Sequence, residues 1–122
     1  MGTPECPLID VSQLESFIEL GPVAYDEILN DAIHQIPIYL AQINDAIIDG
    51  NAPRLNASAH RIRGTLLTFG CIAMSERCDC LELHKNVTPD HAAAIHAELL
   101  ALWNQSLAAI REWEKSVPEF AR

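Results

Sequence analysis

The sequence predicts an all-α protein: an antiparallel four-helix bundle with a short additional N-terminal helix. Three observations predict this fold. Apolar residues recur at the helical period of 3.6, while alternation with period two is almost absent. Helix-start and helix-stop residues divide the chain into five segments with short connections. The chain has 122 residues, of which 49% are hydrophobic, so it is long enough to bury one core.

The first two helices follow from their boundaries and from one apolar stripe. A short helix is predicted over 11–20, and it ends at Gly21-Pro22. A longer helical region follows. We expect Pro37 to kink this region rather than break it, because the apolar stripe stays in phase across the proline. The stripe comprises Leu29, Ile33, Ile36, Leu40, Ile43 and Ile47.

The third and fourth helices are separated by glycine-containing bends. A turn at 49–51 leads into a third helix over 52–69, which opens with Pro53, a residue suited to the first helical turn. Gly70 then predicts a tight bend at the end of the third helix, and this turn fully explains why a glycine stands there. The fourth helix is predicted over 71–84.

The last helix begins after the loop K-N-V-T-P-D. Thr88 is the predicted N-cap, and the helix runs over 89–116. We therefore assign 11–116 to the helical bundle, 1–10 to an N-terminal extension or linker and 117–122 to a C-terminal tail. The inner stripe of the last helix is expected to comprise Ile95, Leu99, Leu102, Ala109 and Trp113.

Charge and composition exclude several classes of function. The net charge of −9 argues against nucleic acid as a partner, because phosphate binding needs a basic surface. No apolar run approaches the roughly 18 residues that span a bilayer, so we expect no direct membrane insertion. The four cysteines lack the paired spacing of a disulfide scaffold, which favours a reduced, cytoplasmic setting.

The predicted third helix places His60 away from its buried face. At about 100° per residue the apolar residues gather on one face, and His60 points about 140° from its centre. A glycine inside a helix costs about 1 kcal/mol relative to alanine, so Gly64, four residues after His60, needs a reason. We interpret it as room for another surface to approach the imidazole. The apolar face comprises Leu55, Ala59, Ile62, Leu66 and Phe69.

The other neighbours of His60 at three and four residues complete this surface. Ala57, like Gly64, has almost no side chain, and Arg63 is a cation. Asn56 is the fourth neighbour. The imidazole is therefore predicted to stand on a low, accessible surface beside a guanidinium.

These residues resemble the motif of the histidine phosphotransfer (HPt) family. That motif reads roughly A-H-x-[LI]-[KR]-G-[ST], followed by a glycine ten residues past the histidine and by an acidic C-x-x-L-E helix. The resemblance extends over most of the chain, including the order of the helices. The matching residues are Ala59, His60, Ile62, Arg63, Gly64, Thr65, Gly70, Cys78, Leu81 and Glu82.

The resemblance implies a phosphorelay carrier without kinase activity of its own. His60 would be the phosphoacceptor, and Arg63 would stabilise the phosphoryl oxygens. The implied partners are receiver domains of a hybrid sensor kinase or a response regulator. The receiver would supply Mg²⁺, so no cofactor or metal is expected on this chain. The residues predicted to contact the partner are Asn56, Ala57, Gly64 and Leu67.

The chain departs from the family pattern after the motif. Leu66 and Leu67 stand where the family usually has small residues, and Thr68 stands where asparagine is common. Leu66 falls on the core face and is absorbed by repacking. Leu67 falls on the exposed face near His60, where it is either a docking contact or a steric change.

Two alternative functions remain open from the sequence. The first is an HPt-like module that docks a receiver or a kinase without being phosphorylated. The second is a small metal-binding bundle that uses Cys78, Cys80 and His84. Cys80 and His84 share a helical face, but Cys78 points to a different side and a fourth ligand is not obvious.

Overall fold

The computed structural model describes residues 7–82 and 87–118, which form an all-α fold, as predicted. The turn between the second and third helices reverses the chain, so these helices run antiparallel. α3 packs against α2 and α4, α5 also packs against α2 and α4, and α1 packs on α2. The helices are α1 (Val11–Ile18), α2 (Pro22–Asp49), α3 (Ala52–Thr68), α4 (Ile72–Asp79) and α5 (Pro89–Glu114).

Side-chain caps fix where three of the helices begin. The carboxylate of Asp10 accepts from the backbone N–H of Ser12 at the start of α1. Asn51 caps α3. Thr88 caps α5, accepting from the N–H of His91 at 3.2 Å, which confirms the predicted cap. Each cap satisfies a backbone donor that has no partner inside its helix.

The fourth helix is shorter than predicted. It ends at Asp79 rather than near 84, and residues 83–86 lie outside the part of the chain that the structure describes. The backbone N–H groups of Cys80, Leu81 and Glu82 each donate to the carbonyl three residues earlier. These tighter bonds end the α-helix. The chain then turns inward, as the burial of Leu81 shows. α1 and α5 each end two residues before their predicted limits.

α2 continues as one helix through Pro37, so the prediction that the proline does not break it is confirmed. Pro37 lies on the exposed side. The predicted stripe faces inward: four of its six residues are buried, and Ile33 and Ile47 are partly buried against the core. Because Pro37 is exposed, its ring does not displace any side chain of the packed side of α2.

Four of the five residues in the predicted inner stripe of α5 lie in the core or pack against it, and Ala109 is the exception. Ile95 and Leu99 are fully buried, but Leu102, Ala109 and Trp113 are only half-buried. These three lie at the edge of a stripe whose buried residues are three or four positions apart. The buried residues of α5 are Ala92, Ile95, Leu99, Trp103, Ser106 and Ile110.

Gly70 joins the end of α3 to the start of α1. It has a φ of +74°, and its carbonyl accepts from the N–H of Asp10 at 2.7 Å. A Cβ at this position would lie 2.9 Å from the carbonyl oxygen of Asp10. Gln13 adds a bond from its side-chain amide to the carbonyl of Thr68 at 2.9 Å. The predicted bend is confirmed, and it also anchors α1 to the end of the helix that carries His60.

No helix in the described part of the chain has both the length and the apolar character needed to cross a bilayer. The longest helix, α2, spans 28 residues, and its buried residues lie along one side.

We expect Gly70→Ala to lower the free energy of unfolding by about 2–4 kcal/mol, because it adds left-handed backbone strain to a close backbone contact. Gly50→Ala is the matched control. Gly50 also has a positive φ, +66°, but a Cβ there would meet nothing within 4 Å. The control should lose only about 1 kcal/mol. Urea unfolding measures both values, and equal losses would contradict the role given to the Asp10 contact.

Candidate functional site

His60 lies in the middle of α3 and is exposed, as predicted. The opposite side of the helix is packed against the core, with Ala59 and Ile62 fully buried. All five residues of the predicted apolar face are buried, and Ser58 joins them. The rotation of α3 about its axis therefore directs the imidazole to the solvent.

The surface around His60 is low. Gly64 is exposed, and apart from its chain neighbours and the backbone of its own helix, a Cβ added there would meet no atom within 4 Å. Ala57 is also exposed, and Asn56 is half-buried at the edge. The packing of the bundle gives no reason for a glycine at position 64, although that residue costs the helix about 1 kcal/mol relative to alanine.

Two leucines that depart from the family pattern have different fates. Leu66 is fully buried, so it is part of the core, as predicted. Leu67 is 52% exposed on the face that carries His60. Thr68, which follows Leu67, donates its hydroxyl to the carbonyl of Gly64 at 3.0 Å, one turn earlier in the helix. Leu67 is therefore the large apolar side chain that this face offers next to the motif.

Arg63 pairs with two carboxylates of α4 and the turn that follows it. Its Nη1 lies 2.7 Å from Oε2 of Glu82 and 3.4 Å from Oδ1 of Asp79. The Arg63 side chain is 37% exposed and that of Glu82 only 14% exposed. We call Asp79 and Glu82 the acidic pair. Sequence reasoning placed Glu82 in the motif but missed this contact, for which the only signal was its charge.

The second arginine beside His60 turns the other way. Nη1 of Arg61 donates to Oε1 of Gln42 on α2 at 3.2 Å. Arg61 is exposed, whereas Arg63 is half-buried between α3 and the acidic pair. The two guanidinium groups thus lie on opposite flanks of the histidine face, and Arg63 is three residues from His60, within reach of the same surface.

An open groove runs between α3 and α4 beside the acidic pair. Its volume is about 350 Å³. Leu67 and Ile72 supply its apolar part, and two carboxylates border it. The lining residues are Arg63, Leu67, Ile72, Ser75, Glu76 and Asp79. An apolar contact surface next to the histidine face therefore has an acidic edge.

The cysteines near α4 are poor candidates for metal ligands. Burial raises the pKa of the Cys78 thiol to about 12 and that of Cys71 to about 11, so both stay protonated at neutral pH. Cys80 is half-buried, and its Sγ accepts from Arg77. Among residues 7–82 and 87–118, no three His, Cys, Asp or Glu side chains are grouped to hold a metal ion. His84, the third residue of the zinc hypothesis, lies outside these ranges.

A comparison with protein-family models matches the Hpt domain over residues 27–113, more than two thirds of the chain. Neither the curated proteins nor the solved structures gave a match. The matched segment contains α3 with His60, the acidic pair and nearly all of the helices that pack around them. The chain belongs to the Hpt domain family, whose members are phosphocarrier modules of two-component signalling that work with receiver and kinase domains.

Proposed function

We propose that this chain is a phosphorelay carrier: His60 takes a phosphoryl group from the phosphoaspartate of one receiver domain and passes it to the aspartate of another. The observation that carries the proposal is the exposed histidine beside a glycine for which the fold has no use. Membership of the Hpt domain family supports the same chemistry at family level.

The transfer step is a nucleophilic displacement at phosphorus. The lone pair of Nε2 of a neutral imidazole attacks the phosphorus, and the Nε2–P bond forms as the P–O bond to the aspartate breaks. The electron pair of that bond returns to the receiver's carboxylate. The reverse reaction with a second receiver completes the relay. Because the attack is in line with the leaving oxygen, the receiver must sit directly over His60.

The other residues of the site act on the phosphoryl group and on the partner. Arg63 would stabilise the equatorial oxygens with a charge-assisted hydrogen bond. The receiver supplies the aspartate and its Mg²⁺, so this chain needs no cofactor and no nucleotide. We place the relay in the cytoplasm, with a receiver of a hybrid sensor kinase or of a response regulator as partner.

Docking is proposed to use the low surface around His60. The groove between α3 and α4 adds Leu67 as an apolar contact and carboxylates at its edge. Complementary charge across an interface raises the association rate and excludes wrong partners. A receiver that presents basic residues around an apolar contact therefore fits this face. The proposed partner-contacting residues are Asn56, Ala57, Gly64 and Leu67.

We expect incubation with an aspartyl-phosphorylated receiver to label the chain with an acid-labile, base-stable phosphate. The label should be absent from His60→Gln and unchanged in His91→Gln, the control, since His91 is also an exposed histidine on a helix. Radiolabel transfer followed by gel electrophoresis measures this. A receiver that binds the wild type without transferring label would favour the alternative of a docking module that is not phosphorylated.

We expect Gly64→Met to block receiver docking while the fold survives. Methionine is a far better helix former than glycine, and its Cβ would lie in open space, so the free energy of unfolding should rise by about 0.5–1 kcal/mol. The matched control is Ala93→Met on the exposed side of α5. Circular dichroism and receiver affinity give the two readouts, and unchanged affinity would contradict the assigned role of Gly64.

We expect Arg63→Ala to slow transfer about tenfold, and to do so more than it weakens docking, because a charge-assisted bond is lost from the phosphoryl group in flight. The free energy of unfolding should also fall, by about 1–2 kcal/mol, since Glu82 is mostly buried and loses its cation. Arg63→Lys, which keeps the charge, should retain more of both. Single-turnover transfer rates and receiver affinity separate the effects; weaker affinity with an unchanged rate in the complex would disprove the assignment.

A further inference from the structure

Arg63 forms ion pairs with the acidic pair in this structure, and in the proposed function it also binds the phosphoryl group on His60. We propose that Glu82 and Asp79 are positioning residues for the transfer: they hold Arg63 while His60 is unphosphorylated, and Arg63 exchanges Glu82 for the phosphoryl group when it arrives. The inference rests on the proposed carrier function. It assigns the acidic pair a part in the chemistry in addition to its contact between α3 and the end of α4.

The geometry of the Arg63 contact suits a bond that is released. Both carboxylates approach a single atom, Nη1, at 2.7 and 3.4 Å. The neighbouring pair between Arg77 and Glu98 is different, because there Nε and Nη2 each donate to a separate carboxylate oxygen, at 3.0 and 2.8 Å. Such a two-point contact is the stronger arrangement. Arg77 of α4 therefore has a two-point contact with its carboxylate, whereas Arg63 contacts its carboxylates through one nitrogen only.

The charges around Arg63 favour the exchange. Two carboxylates lie 2.7 and 3.4 Å from the same guanidinium nitrogen of Arg63, and a phosphoryl group would compete with them for it. A phosphoryl group adds between −1.5 and −2 charges and three acceptor oxygens three residues away on the same helix. With 37% of its side chain exposed, Arg63 has room to turn without a change in the backbone.

The exchange has a consequence for the relay. A carrier must accept the phosphoryl group and also give it up, so its hold on the group must stay moderate. By competing for Arg63, the acidic pair weakens the stabilisation of phosphorylated His60. Removing the charge of Glu82 should therefore leave more of the phosphoryl group on this chain when it equilibrates with a receiver.

The experiment uses the full chain and two phosphoryl donors. Phosphoramidate phosphorylates His60 without a partner: its P–N bond breaks, the Nε2–P bond forms and ammonia leaves. We expect the ¹H–¹⁵N signal of the Arg63 side chain to shift on this reaction, while that of Arg77 stays in place. With the receiver that labels the wild type, Glu82→Gln should raise the equilibrium ratio of phosphorylated chain to phosphorylated receiver about two- to fivefold.

Two further variants show whether Glu82 acts through Arg63. The effect of Glu82→Gln should vanish in an Arg63→Gln background, because that chain has no guanidinium at position 63 for Glu82 to compete for. Glu98→Gln, which breaks the comparable ion pair of Arg77, should change nothing. An unchanged ratio in Glu82→Gln, or an equal shift in the Arg63→Gln background, would overturn the exchange.

The outcomes separate the two proposals. If a receiver labels His60 but the Arg63 signal does not move when phosphoramidate phosphorylates the chain, the exchange is wrong and the carrier function stands. If neither phosphoramidate nor any receiver labels His60, the carrier function fails and the exchange fails with it. If phosphoramidate labels His60 and the Arg63 signal shifts but no receiver transfers, the exchange holds and the relay between receivers is refuted.

Discussion

The burial of one face of α3 is the constraint on which the rest of the site depends. Ala59 and Ile62 flank His60 in the sequence and are completely buried in the core. A helix cannot turn about its axis without exposing such residues, and each large apolar side chain brought to the surface would cost about 1.5–3 kcal/mol. The direction of His60 is therefore set by side chains that take no part in the chemistry.

The second determinant of the site is the chain segment after α4. The helix ends early, and the next residues turn inward so that Leu81 is buried and Glu82 faces α3. This places a mostly buried carboxylate where Arg63 meets it. Arg63 joins α3 to the end of α4 and is three residues from the exposed histidine, so in the proposed carrier a change at Arg63 affects stability and chemistry together. A partly buried charge whose partner is removed is costly.

Local patterns predicted much of this arrangement. The apolar period gave the buried face of α3, so the exposure of His60 and Leu67 followed, and Thr88 and Gly70 were recognised by the turn chemistry of their residue types. The contact between Arg63 and Glu82 was not predictable in this way, because the two residues lie 19 positions apart and meet only after α3 and α4 have packed. The depth of burial along the second half of α5 was not predictable for a related reason: Trp103 is buried and Trp113 only half-buried, and the packing of the helices decides this.

Gly64 is not constrained by the interior of the protein, since beyond its chain neighbours and the backbone of its own helix no atom lies within 4 Å of the place where a Cβ would stand. In the proposed carrier, folding and partner choice are therefore separable at this position. If Gly64 contacts the receiver as proposed, substitutions there would alter which receiver is accepted while the bundle keeps its stability, and a duplicated copy of the gene would diverge there first. The same independence offers a practical route to insulated signalling circuits, in which a rebuilt receiver is matched to a carrier that its natural counterpart no longer engages.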